Sequence, residues 1–256
     1  MRPLIKDTLF RIFRLFPQRL DKRAVILMYH SVSNREDYFF PVSEENFSKQ
    51  IEFLHKSGRS VISLNELEKR IQSGQALSGE VVITFDDGYR DNFTQAFPIL
   101  KKYNFPFIIF VTTSLVGKSD KRNFEMLTDS DLKEMHASGL VDIEPHTMTH
   151  PKLSKLSSDE ARKEILGSKV YLEKLLSKKC EYFAYPFGNY DATTVDVVRE
   201  LGFKYAVTVK EGTEDVVGDV YQLKRNSIDT STTWTQFLGK ISSGVDRYES
   251  LKKILS

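Results

Sequence analysis

The chain has 256 residues, of which 40% are hydrophobic and 28% are charged, a composition typical of a soluble globular protein with a substantial core. Its 37 basic and 35 acidic side chains leave a net charge of +2, which argues against a nucleic-acid-binding protein. The single cysteine, Cys180, excludes an intramolecular disulfide and a cysteine-based zinc site, and we expect it to be a structural thiol.

The N-terminal segment, residues 1–23, is a predicted basic amphipathic helix. Leu9, Ile12 and Phe13 share one face at helical spacing, and basic residues lie between the apolar ones. No apolar run in this segment is long enough for a membrane-spanning helix or for the core of a cleavable signal peptide. Two interpretations stay open: residues 1–20 lie on an anionic membrane surface, or the helix packs on the domain or on another subunit. Without a cleavable signal, we expect a cytoplasmic protein or one peripheral on the membrane.

Short apolar runs alternate with helical patterns along the rest of the chain. The predicted strands, rich in Val, Ile, Phe and Tyr, are 24–30, 81–85, 107–112, 140–144, 182–185, 204–209 and 221–228. Helices are predicted near 46–56, 92–103, 129–138, 157–178, 192–201 and 234–241. This alternation predicts parallel strands with helical crossovers, in either a barrel or an open doubly wound sheet. Because no linker rich in Pro, Gly or Ser divides the sequence, we expect residues 24–256 to form a single domain.

Polar side chains of catalytic type follow several of the predicted strands. Asp86 and Asp87 come directly after the second strand, and His146 and His150 come after the fourth. His30 ends the first strand. Because the carboxyl ends of parallel strands form the ligand-binding face of such folds, we expect these side chains to meet in one site.

The residue types in this cluster point to a metal centre. Two imidazoles and one carboxylate are a ligand set that catalytic zinc sites use. His146 and His150 are four residues apart, a spacing that brings both rings to one side of a helical turn. Asp86 and Asp87 point in opposite directions at a strand end, so one could bind metal while the other faces the substrate. Taken alone, Asp-Asp-Gly is as often a plain turn, and a histidine pair at this spacing occurs by chance in roughly one such chain in ten.

These motifs resemble those of the polysaccharide deacetylases, carbohydrate esterase family 4 with its NodB-homology domain. Residues 84–88, Thr-Phe-Asp-Asp-Gly, match the first motif, and residues 146–150, His-Thr-Met-Thr-His, match the His-Ser/Thr-x-x-His metal motif. Residues 183–188, Phe-Ala-Tyr-Pro-Phe-Gly, resemble the third motif. The resemblance extends over residues 24–230, and it implies an α/β fold, a distorted (β/α) barrel of about seven parallel strands with fewer than eight repeats.

The resemblance also implies a role for each matched residue. Asp86 would be the general base, and Asp87, His146 and His150 would bind Zn²⁺ or a related divalent ion such as Co²⁺ or Ni²⁺. The backbone N–H of Phe187, in the turn after the fifth strand, would stabilise the oxyanion. The implied reaction is hydrolysis of an N-acetyl or other N-acyl group on an amino sugar of a polysaccharide or glycoconjugate.

Two departures from the family pattern concern the base and the acid. The arginine that begins the third motif and braces the base is Ala184 here, and no histidine follows His150 to serve as the late general acid. The candidate acid is His30, an arrangement that resembles the poly-N-acetylglucosamine deacetylase branch; an ordinary strand-end histidine is the alternative. Arg225, after the last predicted strand, is the candidate to brace Asp86, although a simple salt-bridge role is as compatible with the sequence.

Tyr89 and Tyr185, together with Arg225, are the candidate substrate-site residues, because aromatic faces suit pyranose rings. The expected substrate is an amino-sugar glycan or a lipid-linked sugar. One alternative is a carbohydrate O-acetyl esterase, which would need a general acid less because an alkoxide leaves more easily than an amide nitrogen. The other is a non-catalytic glycan-binding protein. The choice of sugar and acyl group would depend on the predicted loops 34–41 and 114–126.

Overall fold

The computed structural model describes residues 7–11, 23–35, 37–75, 77–214 and 219–254. Within these ranges, short strands alternate with helices along the chain. The strands are β1 (Val25–Tyr29), β2 (Val81–Phe85), β3 (Phe107–Val111), β4 (Val141–Pro145), β5 (Tyr182–Ala184), β6 (Tyr205–Val207) and β7 (Asn226–Ser227). The α-helices are α1 (Glu44–Lys56), α2 (Leu64–Gln72), α3 (Phe97–Lys102), α4 (Asp129–Ala137), α5 (Ser158–Leu176), α6 (Ala192–Glu200), α7 (Trp234–Lys240) and α8 (Gly244–Ile254).

The strands form a ring of parallel neighbours in chain order. The main sheet has the order β4-β3-β2-β1-β7, and β5 pairs with β6 in a second sheet. The backbone of Leu223 bonds to Ala206 and Thr208, so the segment that leads into β7 continues the ladder from β6. The parallel pairing places the carboxyl ends of the strands on one face, which confirms the predicted α/β fold and its distorted (β/α) barrel.

The side chain of Glu144 joins the two sheets where β4 and β5 separate. Its carboxylate accepts hydrogen bonds from the backbone N–H groups of Glu181 at 3.0 Å and Tyr182 at 3.2 Å, and from Lys178 Nζ at 2.7 Å. Burial raises the pKa of Glu144 to about 8 although Lys178 opposes the shift. The carboxylate thus satisfies backbone donors that a neighbouring strand would otherwise bond.

Two hydrophobic layers result from the alternation of side chains along each strand. Ile26 and Val82 point into the barrel with Phe110, whereas Leu27 and Ile83 face the surrounding helices. Every residue of β1, β2 and β3 is buried, as expected for strands covered on both sides. Several helices are preceded by a capping residue whose side chain accepts a hydrogen bond from a backbone N–H of the first turn. These residues are Ser43, Ser63, Thr128, Ser157, Asp191 and Thr233.

The predicted elements differ from the structure at four places. Helices α2 and α8 were not predicted. The predicted strand 221–228 pairs with β1 only at Asn226–Ser227, because the preceding residues bond to β6 on the other side of the ring. The predicted helix 92–103 begins with a π-helical turn, Asn92–Ala96, before α3 continues it.

Part of the predicted N-terminal helix packs on the domain. Residues 7–11 are helical, and Phe10 is fully buried with its ring stacked 5.2 Å from that of Tyr248 in α8. Asp7 accepts a hydrogen bond from the hydroxyl of Thr233 at the start of α7. The rest of the predicted helix, residues 1–6 and 12–22, lies outside the described residues. Among the described residues, no helix combines the length and the apolar character that crossing a membrane requires.

Candidate metal centre and active site

The chain turns sharply after β2, and this turn separates the two adjacent carboxylates. Asp87 and Gly88 both have left-handed backbones, with φ of 72° and 85°. A Cβ on Gly88 would lie 3.3 Å from a methyl carbon of Val111, so a glycine suits both the conformation and the close contact with β3. The side chain of Asp86 therefore contacts Arg225, whereas that of Asp87 lies near the two histidines.

Asp87, His146 and His150 form a three-residue ligand set. Asp87 Oδ1 lies 3.2 Å from His150 Nε2 and 3.7 Å from His146 Nε2, and the two Nε2 atoms are 3.2 Å apart. Ligands about 2.0–2.1 Å from a tetrahedral Zn²⁺ are roughly 3.3 Å from one another. The spacing of the three donor atoms, and their chemistry, therefore fit one divalent ion.

The segment between the two histidines is an irregular turn, so the predicted helical turn is wrong. Thr147 and His150 have left-handed backbones, with φ of 67° and 60°. The Thr147 hydroxyl accepts a hydrogen bond from the His150 N–H at 3.0 Å. The Glu164 carboxylate, on α5, accepts from the backbone N–H groups of Met148 and Thr149 at 3.0 and 2.8 Å. The rings converge because these contacts shape the turn.

Both imidazoles are held in the neutral form that binds metal. His146 Nδ1 lies 2.8 Å from the carbonyl oxygen of Ala184, so the ring donates through Nδ1 and keeps the lone pair of Nε2 for an ion. Burial lowers the pKa of His146. Burial and the nearby His146 lower the pKa of His150 to about 4. Ala184, which stands where the family has an arginine, thus contributes its backbone to the site.

Arg225 braces Asp86 from the opposite end of the chain. Its two terminal nitrogens each lie 2.6 Å from one oxygen of the Asp86 carboxylate, and Nε donates to the Thr208 carbonyl at 2.9 Å. Arg225 is fully buried and Asp86 is 3% exposed. Burial raises the pKa of Asp86, but Arg225 and, more weakly, His146 lower it further, to about 2. Asp86 is therefore ionised throughout the neutral range. Arg225 is buried against this carboxylate, which agrees with the predicted brace and disagrees with the predicted contact to substrate.

His30 lies beside Asp86, and two residues that were not predicted hold the backbone at His30 and immediately after it. Tyr29 pairs with Phe85 across β1 and β2, so the residues that follow these two strands are neighbours. Asn92 Nδ2 donates to the His30 carbonyl at 2.7 Å. Asp91 accepts from the hydroxyl of Ser31 and the N–H of Val32, at 2.5 and 3.0 Å. Both residues follow Asp-Asp-Gly closely in the sequence, and this position could have identified them as part of the site.

A cavity of about 250 Å³ opens beside the metal ligands. Tyr89 forms part of its wall, is almost fully buried, and accepts a hydrogen bond from Arg122 Nη2 at 2.5 Å. Phe187 is 58% exposed in a left-handed turn, with its ring 4.4 Å from that of His150. The structure thus brings both predicted residues, Tyr89 and Phe187, to the mouth of the centre.

Tyr185, by contrast, does not reach the site. Alternation along β5 sends Tyr182 and Ala184 into the barrel, and it sends Phe183 and Tyr185 towards the helices. Tyr185 is fully buried with its ring 4.6 Å from that of Tyr190. The prediction that it contacts substrate therefore disagrees with its position.

Comparisons with known proteins agree with this architecture. The family model for polysaccharide deacetylases matches residues 74–206. YxkH of Bacillus subtilis (strain 168), a candidate polysaccharide deacetylase, is 31% identical over 219 residues, which cover 85% of this chain and 76% of that protein. The poly-beta-1,6-N-acetyl-D-glucosamine N-deacetylase of Staphylococcus aureus (strain MRSA252) is 31% identical over 192 residues, which cover 72% of this chain and 66% of that enzyme.

A solved structure extends the similarity to the fold. The Streptococcus pyogenes deacetylase PplD, determined in complex with acetate, superposes with a TM-score of 0.78 at 28% identity, covering 86% of this chain and 99% of PplD. Sequence and fold therefore confirm the predicted family: the chain belongs to the polysaccharide deacetylases.

Proposed function

We propose that this protein removes N-acetyl groups from amino-sugar residues of a polysaccharide, in a reaction that depends on a divalent metal ion. The observation that supports the proposal best is the pairing of two units at one end of the barrel. One is the Asp87, His146 and His150 ligand set, and the other is the buried, ionised Asp86 held by Arg225. Hydrolysis of an amide requires a polarised carbonyl and a base for the attacking water, and these two units supply the groups for both.

We propose Zn²⁺ as the ion, with Co²⁺ or Ni²⁺ as substitutes. Two neutral imidazoles and a carboxylate at these separations suit a catalytic zinc site, which leaves a position for water and substrate. When bound, such an ion would polarise the acyl carbonyl and lower the pKa of water towards about 7.

The residues around the ligand set have complementary tasks in the proposed reaction. Asp86 accepts the proton of the water that attacks the acyl carbonyl, and Arg225 holds the carboxylate in position for this transfer. The backbone N–H of Phe187 donates a hydrogen bond to the oxygen on which negative charge develops. His30 donates a proton to the sugar nitrogen as the C–N bond breaks, so that acetate and a free amine are released.

The proposed substrate is a polymer of N-acetylglucosamine. Support comes from the Staphylococcus aureus relative, whose name specifies poly-beta-1,6-N-acetyl-D-glucosamine. A direct test measures acetate release from N-acetylglucosamine oligomers by metal-free protein to which Zn²⁺, Co²⁺ or Ni²⁺ is returned. We expect activity that depends on the metal and falls at least about 100-fold in Asp86→Asn. Wild-type protein that binds no metal and releases no acetate would overturn the proposal.

An O-acetyl ester serves as the discriminating substrate. Because an alkoxide leaves more easily than an unprotonated amide nitrogen, loss of the general acid should damage amide hydrolysis far more than ester hydrolysis. We expect His30→Ala to slow acetate release from the acetamido sugar by about 100-fold and to leave ester hydrolysis within a few-fold of wild type. A wild-type protein that hydrolyses only the ester would identify an O-acetyl esterase instead.

We further propose a location on the cytoplasmic side, with residues 1–20 in peripheral contact with the membrane, where a lipid-linked sugar would be a second substrate. The basic and apolar residues of this segment support contact with an anionic membrane surface. Co-sedimentation with anionic vesicles tests it. Deletion of residues 1–20 should abolish binding, whereas equal sedimentation of both forms would refute the membrane contact.

A further inference from the structure

A second cavity lies at the same end of the barrel as the candidate metal centre. It has a volume of about 280 Å³ and is enclosed by the segments that follow β1 and β7 and by the first turns of α1. None of its lining residues also lines the cavity at the metal ligands. We call this second cavity the amide pocket, after three carboxamide side chains in its wall: Asn34, Asn46 and Gln50.

The loop between β1 and α1 separates the two cavities. Phe40, in this loop, has its ring 5.4 Å from that of Tyr89, which lines the metal cavity, and 6.0 Å from that of His30. On the other side, Pro41 and Val42 line the amide pocket. A single loop thus has the metal cavity on one side and the amide pocket on the other, so one extended ligand could contact both.

Gln50 provides the pocket with a buried donor. The side chain is 3% exposed, and its Oε1 accepts a hydrogen bond from the Tyr29 hydroxyl at 2.9 Å. Among the described residues, its Nε2 has no acceptor. Because Gln50 lines the pocket, this nitrogen is available to donate a hydrogen bond to a ligand oxygen there. Asn34 and Asn46 are exposed at the rim and add further donors and acceptors.

The two charged groups of the pocket, Arg35 and Asp229, already have partners on the protein, which favours an uncharged ligand. Arg35 Nη2 lies 2.7 Å from Asp37 Oδ2. Asp229 accepts hydrogen bonds from the backbone N–H and hydroxyl of Ser231, at 2.9 and 2.7 Å, and from the hydroxyl of Thr232 at 3.1 Å. A wall of carboxamides beside a carboxylate that is held by neutral donors matches hydroxyl and acetamido groups better than phosphate or carboxylate.

Phe39 adds an exposed aromatic ring at the edge of this pocket. It is 77% exposed, and its carbonyl accepts a hydrogen bond from the N–H of the pocket residue Thr230 at 3.1 Å, which fixes its backbone there. Aromatic faces combined with polar groups are suited to sugar rings, which have apolar C–H faces and polar edges. The volume is just below the range of about 300–1,000 Å³ typical of drug-sized ligands, which suits a single sugar residue.

From these observations we propose that the amide pocket is a saccharide subsite that binds an uncharged acetamido-sugar residue of the polymer, away from the residue that is deacetylated. The inference rests on the proposed function, because it assigns the pocket to the same polymeric substrate. It predicts that the enzyme acts better on oligomers long enough to reach both cavities than on a single sugar.

The test compares kcat/KM across β-1,6-linked N-acetylglucosamine oligomers, from the monomer to the hexamer. The main variant is the double substitution Asn34→Ala/Asn46→Ala, which changes only exposed side chains. Gln50→Glu is the second variant, because it keeps an acceptor for Tyr29 and removes the buried donor. Gln75→Ala, an exposed amide before β2 at the opposite end of the barrel, is the matched control.

We expect the double variant and Gln50→Glu to lose about tenfold in kcat/KM for the longest oligomers and to match wild type on the monomer. The Gln75→Ala control should match wild type at every length. Equal losses at all lengths, or no loss at any length in the double variant, would overturn the subsite. If Gln50→Glu unfolds at a lower temperature than wild type, its activity is set aside, and the double variant alone tests the subsite.

Failure of the proposed function has a different outcome. Wild-type protein that releases no acetate from any oligomer would overturn the deacetylase proposal. The subsite is then decided by calorimetric titration of the hexamer into wild type and into Asn34→Ala/Asn46→Ala. Binding that weakens about tenfold in the double variant supports a saccharide subsite, whereas equal binding, or none, refutes it.

Discussion

The buried pair of Asp86 and Arg225 provides the most demanding prediction, and the substitution Arg225→Met tests it. Methionine approximates the length of the arginine stem but removes the charge and every donor, leaving a carboxylate that is 3% exposed without its partner. Breaking a buried pair in this way costs about 3–5 kcal/mol, which lowers the folding equilibrium constant by about two to four orders of magnitude. We expect this loss in urea unfolding followed by far-UV circular dichroism.

The same substitution should alter the ionisation of Asp86. In wild type, Arg225 contributes to a pKa of about 2, below the ordinary value of 3.8, so the pair stabilises the fold above pH 3.8 and loses this effect as the pH falls towards 2. Without Arg225, burial should dominate and raise the pKa of Asp86. Deacetylation at neutral pH should then fall at least about 100-fold, because the base is displaced and partly protonated.

Two control proteins separate stability from chemistry. Arg90→Met removes an exposed arginine paired with Glu125, and it should leave the urea midpoint close to that of wild type. The double variant Asp86→Leu/Arg225→Met replaces both charges and should recover much of the lost stability while remaining inactive. An Arg225→Met protein that unfolded at the same urea concentration as Arg90→Met and kept wild-type activity would contradict the proposed role of the pair.

Three further changes test other parts of the site. Asn92→Ala releases the carbonyl of His30 and should slow amide hydrolysis about tenfold while sparing an activated aryl acetate; equal losses on both substrates would contradict a role in placing the acid. Burial raises the pKa of Asp91 from 3.8 to about 6, so wild-type stability should fall as the pH rises across that interval, and Asp91→Asn should remove this dependence; parallel unfolding curves for the two proteins would count against it. His150→Ala removes one ligand and should weaken Zn²⁺ binding more than about 100-fold in calorimetry, whereas unchanged affinity would exclude the proposed ion site.

Local patterns predicted most of the elements that position the site. The strand 81–85 was predicted with its observed bounds, because a run of apolar residues ends at a polar turn. Helix α2 was missed although Leu64 and Leu67 are buried, since its nine residues provide few turns for a periodic signal. The irregular turn between His146 and His150 could not be predicted from spacing, because Glu164 shapes it from a different helix.

Which residue types could form a metal centre, and that they follow strands of one parallel fold, was predictable from the sequence alone. Closure of the ring decided which of them meet. Arg225 and Asp86 are 139 residues apart in the chain, and they join because β7 pairs with β1 beside β2. The carbonyl of Ala184 orients His146 for the same reason, since β5 lies next to β4. Periodicity specifies the face of a strand on which a side chain lies, whereas contacts across the barrel depend on strand order and register.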